Sequence, residues 1–108
     1  MKATDTFHHP DYGHNCAQAV AYRWREKYTD TDVVEQMSAC GGGRAPEGIC
    51  GALHAAMLAC PSHAATIKEQ FAQQCGATTC RLLKTVCKTP CYLCVATANA
   101  LVEKYESD

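Results

Sequence analysis

Cysteine is the residue in this chain best placed to do chemistry, and it is far out of proportion. Nine of the 108 residues are cysteines, at positions 16, 40, 50, 60, 75, 80, 87, 91 and 94. In a secreted mini-protein that density means a disulfide framework. Here the count is odd, and the chain is long enough to bury roughly two thirds of its surface in a core of its own. The stretch from Met1 to Tyr12 is polar and has no apolar run. With no signal-peptide pattern and no transmembrane segment in the sequence, a cytoplasmic location is the default expectation. In a reducing compartment, such a set reads as metal-binding or redox-active. The plainer use of cysteine, as a small buried apolar residue, accounts for part of the nine.

Other chemistries find less support. Ten basic and eleven acidic residues give a net charge of -1. No charge block stands out, so neither a nucleic acid nor a membrane is indicated as a partner. There is no Ser/His/Asp set and no carboxylate pair of the kind hydrolases use. Covalent c-type haem needs Cys-x-x-Cys-His; Cys91 and Cys94 have the spacing, but Val95 takes the place of the histidine. His54 lies four residues after Cys50, one helical turn along the same face, where it is a candidate ligand or hydrogen-bond partner for a thiolate. His8, His9 and His14 sit in a loose N-terminal stretch and are expected to be solvated.

These side chains must be positioned by helices, because the apolar spacing follows a helical period and no strand stands out. The pattern predicts an all-α bundle of five or six helices in a single cysteine-rich domain over 14–108, after a loose lead-in over 1–13. The first helix is expected from Cys16 to Tyr28 with Asn15 as N-cap, and a second from Asp32 to Cys40, capped from Thr29–Asp32. Residues 41–48, with four glycines and a proline, form a loop. That loop lacks the Gly-Lys-Ser/Thr ending of a phosphate-binding loop and follows no strand. A third helix over 49–60, apolar nearly all round, is expected to be central and buried. The fourth runs from Ser62 to Cys75 with Gly76 as its stop. The fifth spans 79–87, capped by Thr78. The sixth starts from a Thr89–Pro90 cap pair and buries Cys91, Cys94, Val95, Ala98, Leu101, Val102 and Tyr105.

On these helices the cysteines sort by position. Cys16, Cys50, Cys80 and Cys91 fall in first turns, and Cys94 one turn into the sixth helix. Cys40, Cys60, Cys75 and Cys87 fall in last turns. A helix N-terminus carries partial positive charge and unpaired N–H groups, which favour a thiolate. The first-turn set is therefore the expected redox or metal-binding set, and the last-turn set is structural or resolving.

The chain also resembles the family of redox-active bacterial proteins defined by four shared cysteines and a CGAxxG motif. The resemblance is carried by Asn15-Cys16-Ala17-Gln18-Ala19-Val20, Gly41-Gly42-Gly43, Gly48-Ile49-Cys50-Gly51-Ala52, Phe71, Cys80-Arg81-Leu82-Leu83, and Cys91 with Val95. It implies that the four shared cysteines are Cys16, Cys50, Cys80 and Cys91. Two positions depart from the pattern: Ala55 stands where the motif prefers glycine, and Cys40 where a phenylalanine usually precedes the glycines. A related domain occurs in a split-Soret type of cytochrome c, where an iron–sulfur centre is attributed to its cysteines.

Two chemistries follow. Four cysteines suit an iron–sulfur cluster or tetrahedral zinc, with Cys16, Cys50, Cys80 and Cys91 as ligands and His54 as a further candidate. Alternatively, the protein holds no cofactor and works by thiol–disulfide exchange, with Cys91 attacking and Cys94 as second thiol. No βαβ context surrounds that pair, which argues against a thioredoxin-like site. Either way, the expectation is a redox carrier or metal-responsive binding module rather than a conventional enzyme, with a redox protein as partner or a second copy in a homodimer. One geometric tension stands. In a strict up-and-down bundle the fifth helix would hold Cys80 and Cys91 about 15 Å apart, so either that helix packs crosswise or there are two cysteine groups.

Overall fold

The computed structural model describes residues 3–5, 7–8, 13–28, 33–39 and 48–106. Cys40, the glycine run 41–47, His9 and the 29–32 capping cluster lie outside the described residues. The fold is all-α. Six α-helices are described: α1 (Cys16–Arg23), α2 (Val33–Gln36), α3 (Gly51–Ala59), α4 (Ala64–Cys75), α5 (Cys80–Thr85) and α6 (Cys91–Glu106). Among the described residues β structure is limited to two isolated bridges, Phe7 with His14 and Ile49 with Thr79. No described helix is long and apolar enough to cross a membrane.

α3 sits at the centre, packed against α1, α4 and α6. Its buried side is made mostly of small residues, Gly51, Ala52, Ala55, Ala56 and Ala59, with Leu53 fully enclosed. Small side chains let neighbouring helix backbones approach, and Ile67, Phe71, Val20, Val95 and Val102 then close the core around them. The all-round apolar pattern does not mean all-round burial, because Leu58 remains exposed.

Several helices are shorter than their patterns suggest, and local chemistry explains why. α1 ends at Arg23 and gives way to a 3₁₀ turn over Arg25–Lys27, and α2 runs into another at Met37–Ala39. α4 begins at Ala64 rather than Ser62, because Pro61–His63 form a 3₁₀ turn first. α4 stops at Gly76, whose φ of 102° lies on the left-handed side that glycine alone adopts freely. α5 is capped by Thr79, not Thr78: the Leu82 amide donates to the Thr79 hydroxyl. Thr89 does not cap α6 either: α6 starts at Cys91, with the Leu93 and Cys94 amides donating to the Pro90 carbonyl, and the Thr89 hydroxyl donates to the Cys75 carbonyl at 2.7 Å, tying the start of α6 to the end of α4.

The N-terminal stretch is less loose than its sequence implies. Ala3–Asp5 form a 3₁₀ turn that packs on α1 and α6. Ala3 is fully buried, and its amide donates to the buried Asn99 side chain at 3.3 Å. His14 is buried as well, with its ring against Tyr22. Burial pushes its pKa down, which corrects the expectation of a solvated histidine there. His8 is exposed and stacks on Phe7.

Candidate thiol centre

Four helices begin at or beside a cysteine. Cys16, Cys80 and Cys91 are the first residues of α1, α5 and α6, and Cys50 is the residue that caps α3. The start of α1 is fixed by its own local sequence. Asn15 and Gln18 form a reciprocal capping box: the Gln18 amide donates to Asn15 Oδ1 at 2.7 Å, and the Asn15 amide donates to Gln18 Oε1 at 3.1 Å. Asn15 Nδ2 donates to the Met37 and Ser38 carbonyls at 3.3 and 3.2 Å, which anchors that cap to the end of the second helical segment.

Backbone pairing ties the start of α3 to the lead-in of α5. Ile49 bridges antiparallel to Thr79, and the Cys50 amide donates to the Thr78 carbonyl at 2.8 Å. In this antiparallel register Cys50 lies opposite Thr78, and Cys80 continues from Thr79 in the opposite direction. Next, α5 is only one and a half turns long. At six residues it spans about 9 Å. The chain then reverses through Lys88, a non-glycine residue with φ of 53°, and starts α6 at Cys91. This short excursion resolves the tension in the sequence. Cys91 feels the charges of both Cys80 and Cys16, so the fifth helix does not carry Cys91 to a far end.

The thiols interact as one group. Cys50 hydrogen-bonds with Cys16 and with Cys94. The bond with Cys16 and the Leu53 amide favour the Cys50 thiolate, but Cys94 and burial prevail and push its pKa up to about 12. At Cys91, burial raises the pKa, the Lys84 ammonium opposes it, and Cys16 and Cys80 raise it further. Lys84 hydrogen-bonds Cys80 and is held charged chiefly by Cys80 and Cys91, with Cys16 adding to the effect. Cys16, Cys50 and Cys94 are buried, whereas Cys80 and Cys91 are half-buried, so the group reaches the surface at the α5–α6 corner.

Cys16 is common to two sets of interactions: Cys50 hydrogen-bonds with Cys16 and Cys94, and Cys91 lies within electrostatic reach of Cys16 and Cys80. Cys94 contacts Cys50. The acidity expected of first-turn thiols is opposed by burial at Cys50 and Cys91. Lys84 was missed from the sequence, although its place four residues after Cys80 puts both on one helix face. His54 is half-buried, and burial lowers its pKa. Its backbone amide donates to the Cys50 carbonyl at 2.9 Å, but among the described residues its ring joins none of the thiols. The last-turn cysteines stand elsewhere: Cys60 caps the far end of α3, Cys75 ends α4, and Cys87 follows α5 with its sulfur against Gly76.

Among the described residues no disulfide joins the cysteines, and no three His, Cys, Asp or Glu side chains stand at metal-ligand spacing. No protein-family profile, curated protein or solved structure matches the chain.

Proposed function

We propose that this chain is a small redox carrier that holds a thiolate-ligated metal centre, an iron–sulfur cluster foremost, on Cys16, Cys50, Cys80 and Cys91. The observation that carries this reading is the meeting of helix N-termini, each with its own thiol, beside Lys84. α1, α3 and α6 each contribute roughly half a positive charge at that end, and Lys84 contributes one more. About 2.5 positive charges therefore surround a partly buried group of thiols, and neutral S–H groups do not offset them. A four-thiolate centre is an anion and does so.

When bound, such a centre supplies a one-electron couple. The chain supplies the rest. Cys16, Cys50, Cys80 and Cys91 would hold the centre, and each thiol would have to give up its proton to do so. Lys84 stabilises the charge left on Cys80 and Cys91. Zinc on the same four sulfurs is the redox-silent version of this reading.

A second reading rests on the Cys16–Cys50–Cys94 hydrogen-bonded chain. A disulfide of a partner protein would accept two electrons and two protons as Cys50 bonds to Cys16 or Cys94. No metal is needed, and the carrier role is retained. The test is protein purified without oxygen, measured for visible absorbance, iron, acid-labile sulfide and zinc. Iron and sulfide in stoichiometric amounts, lost in Cys16→Ser, Cys50→Ser, Cys80→Ser and Cys91→Ser but kept in Cys60→Ser, support the cluster. Colourless, metal-free protein that forms a disulfide at Cys50 overturns it in favour of the second reading.

A further inference from the structure

The thiol group opens to the surface in one place, and that place differs from the rest of the molecule. Among the described residues, five large hydrophobic side chains are exposed, and four of them lie between residues 82 and 93: Leu82 at 46 %, Val86 at 71 %, Tyr92 at 58 % and Leu93 at 49 %. All four belong to α5, the turn after it, or the first turn of α6, the elements that carry the half-buried Cys80 and Cys91. The charge there is also one-sided. From residue 70 to residue 102 the sequence holds Arg81, Lys84 and Lys88 and no Asp or Glu, although the chain as a whole has net charge -1. All three cations are exposed.

We infer that the α5–α6 corner is the docking face for an acidic one-electron carrier protein, which seats over Leu82, Val86, Tyr92 and Leu93 with its carboxylates toward Arg81, Lys84 and Lys88. Charge complementarity and continuity with the thiol group favour this occupant. Exposed apolar side chains ringed by charge of one sign make a small, steerable interface of the kind transient redox encounters use. A second copy of the chain would bring the same three cations against them and is disfavoured for that reason. The opening of Cys80 and Cys91 within this face puts the seated carrier next to the sulfur that electrons must cross. The inference deepens the proposed carrier function and rests on it for the reason to dock, but docking is measurable without electron transfer.

The test uses the full chain, labelled with nitrogen-15 and kept anaerobic, titrated with an acidic plant-type ferredoxin and, in parallel, with a basic cytochrome c. The expected result is that the ferredoxin shifts amide signals of residues 80–93. Binding should weaken at least tenfold between low and physiological salt and again in the double variant Arg81→Glu/Lys88→Glu, while cytochrome c binds the wild type more weakly. Val86→Ser/Leu93→Ser should weaken ferredoxin binding and leave its salt dependence in place. Ferredoxin shifts mapping elsewhere, no binding, or indifference to the charge reversal would overturn the inference. So would concentration-dependent self-association through this face, or tighter binding to anionic phospholipid vesicles than to ferredoxin. If docking maps to the corner but the protein carries no metal and no reactive disulfide, the proposed function fails while the docking face stands.

Discussion

Replacing Asn15 should loosen the first member of the thiol group from a distance. Asn15 makes two separable kinds of contact. Its Oδ1 accepts from the Gln18 amide at 2.7 Å and caps α1, and its Nδ2 donates to Met37 and Ser38 carbonyls at 3.3 and 3.2 Å. Loss of a good N-cap costs about 1 kcal/mol, within a range of roughly 0.5–2. The two amide contacts are long and lie near the surface, so together they contribute about 1 kcal/mol. Asn15→Ala removes both and should cost about 2 kcal/mol, whereas Asn15→Ser keeps a capping oxygen and should cost about 1. For a domain of this size 1 kcal/mol is worth about 4 °C, so the expected falls in Tm are about 8 and 4 °C. Fraying of α1 begins at Cys16, the first residue beyond the cap. Its alkylation in the reduced protein should therefore speed up in Asn15→Ala more than in Asn15→Ser, with Cys75 as an internal control. Equal losses in the two variants, or Cys16 alkylation unchanged in Asn15→Ala, would refute the claim that this cap positions Cys16.

Gly76→Ala should destabilise by about 1–2 kcal/mol from its left-handed backbone alone, and by more because the new Cβ would meet the Cys87 sulfur at 2.8 Å; thermal melts of the single variant and of Gly76→Ala/Cys87→Ala separate the two costs. In reduced, metal-free protein, the Cys50 thiol should resist alkylation at pH 8 and react only as pH approaches about 12, and mass spectrometry of the labelled sites checks this. Because folding raises that pKa above its unfolded value of about 8.5, the linked stability is present below pH 8.5 and is lost as pH rises toward 12; denaturant midpoints that rise over that window would contradict it. Lys84→Met should raise the pKa of the Cys91 thiol, since Lys84 is the group that lowers it, and Lys84→Arg should not; alkylation of Cys91 across a pH series reads the difference.

Much of the architecture was legible because burial writes itself into spacing. The apolar face of α6 recurs at Val95, Ala98, Leu101 and Val102, all of them buried. The small residues of α3 announced a helix that neighbours approach closely, and Gly76 announced a stop. What sequence spacing could not express was pairing between distant segments. The Ile49–Thr79 bridge ties the start of α3 to the lead-in of α5, yet nothing at either position marks it. Thr89 looked like a cap for its own helix, but α6 starts one residue later than that cap would set it, and the Thr89 hydroxyl donates to the distant Cys75 carbonyl, a contact no local pattern marks. The same holds for the acidity of the thiols. Helix position favours the thiolate, but burial and neighbouring sulfurs act against it at Cys50 and Cys91, and both depend on tertiary packing.

The central claim is that four helix-start thiols hold one metal centre. The most direct measurement is an anomalous difference map, recorded at the iron edge from crystals of anaerobically purified protein. The account predicts one strong peak shared by the sulfurs of Cys16, Cys50, Cys80 and Cys91, with Lys84 beside it. A map without that peak, or with iron on Cys60, Cys75 or Cys87, would contradict it.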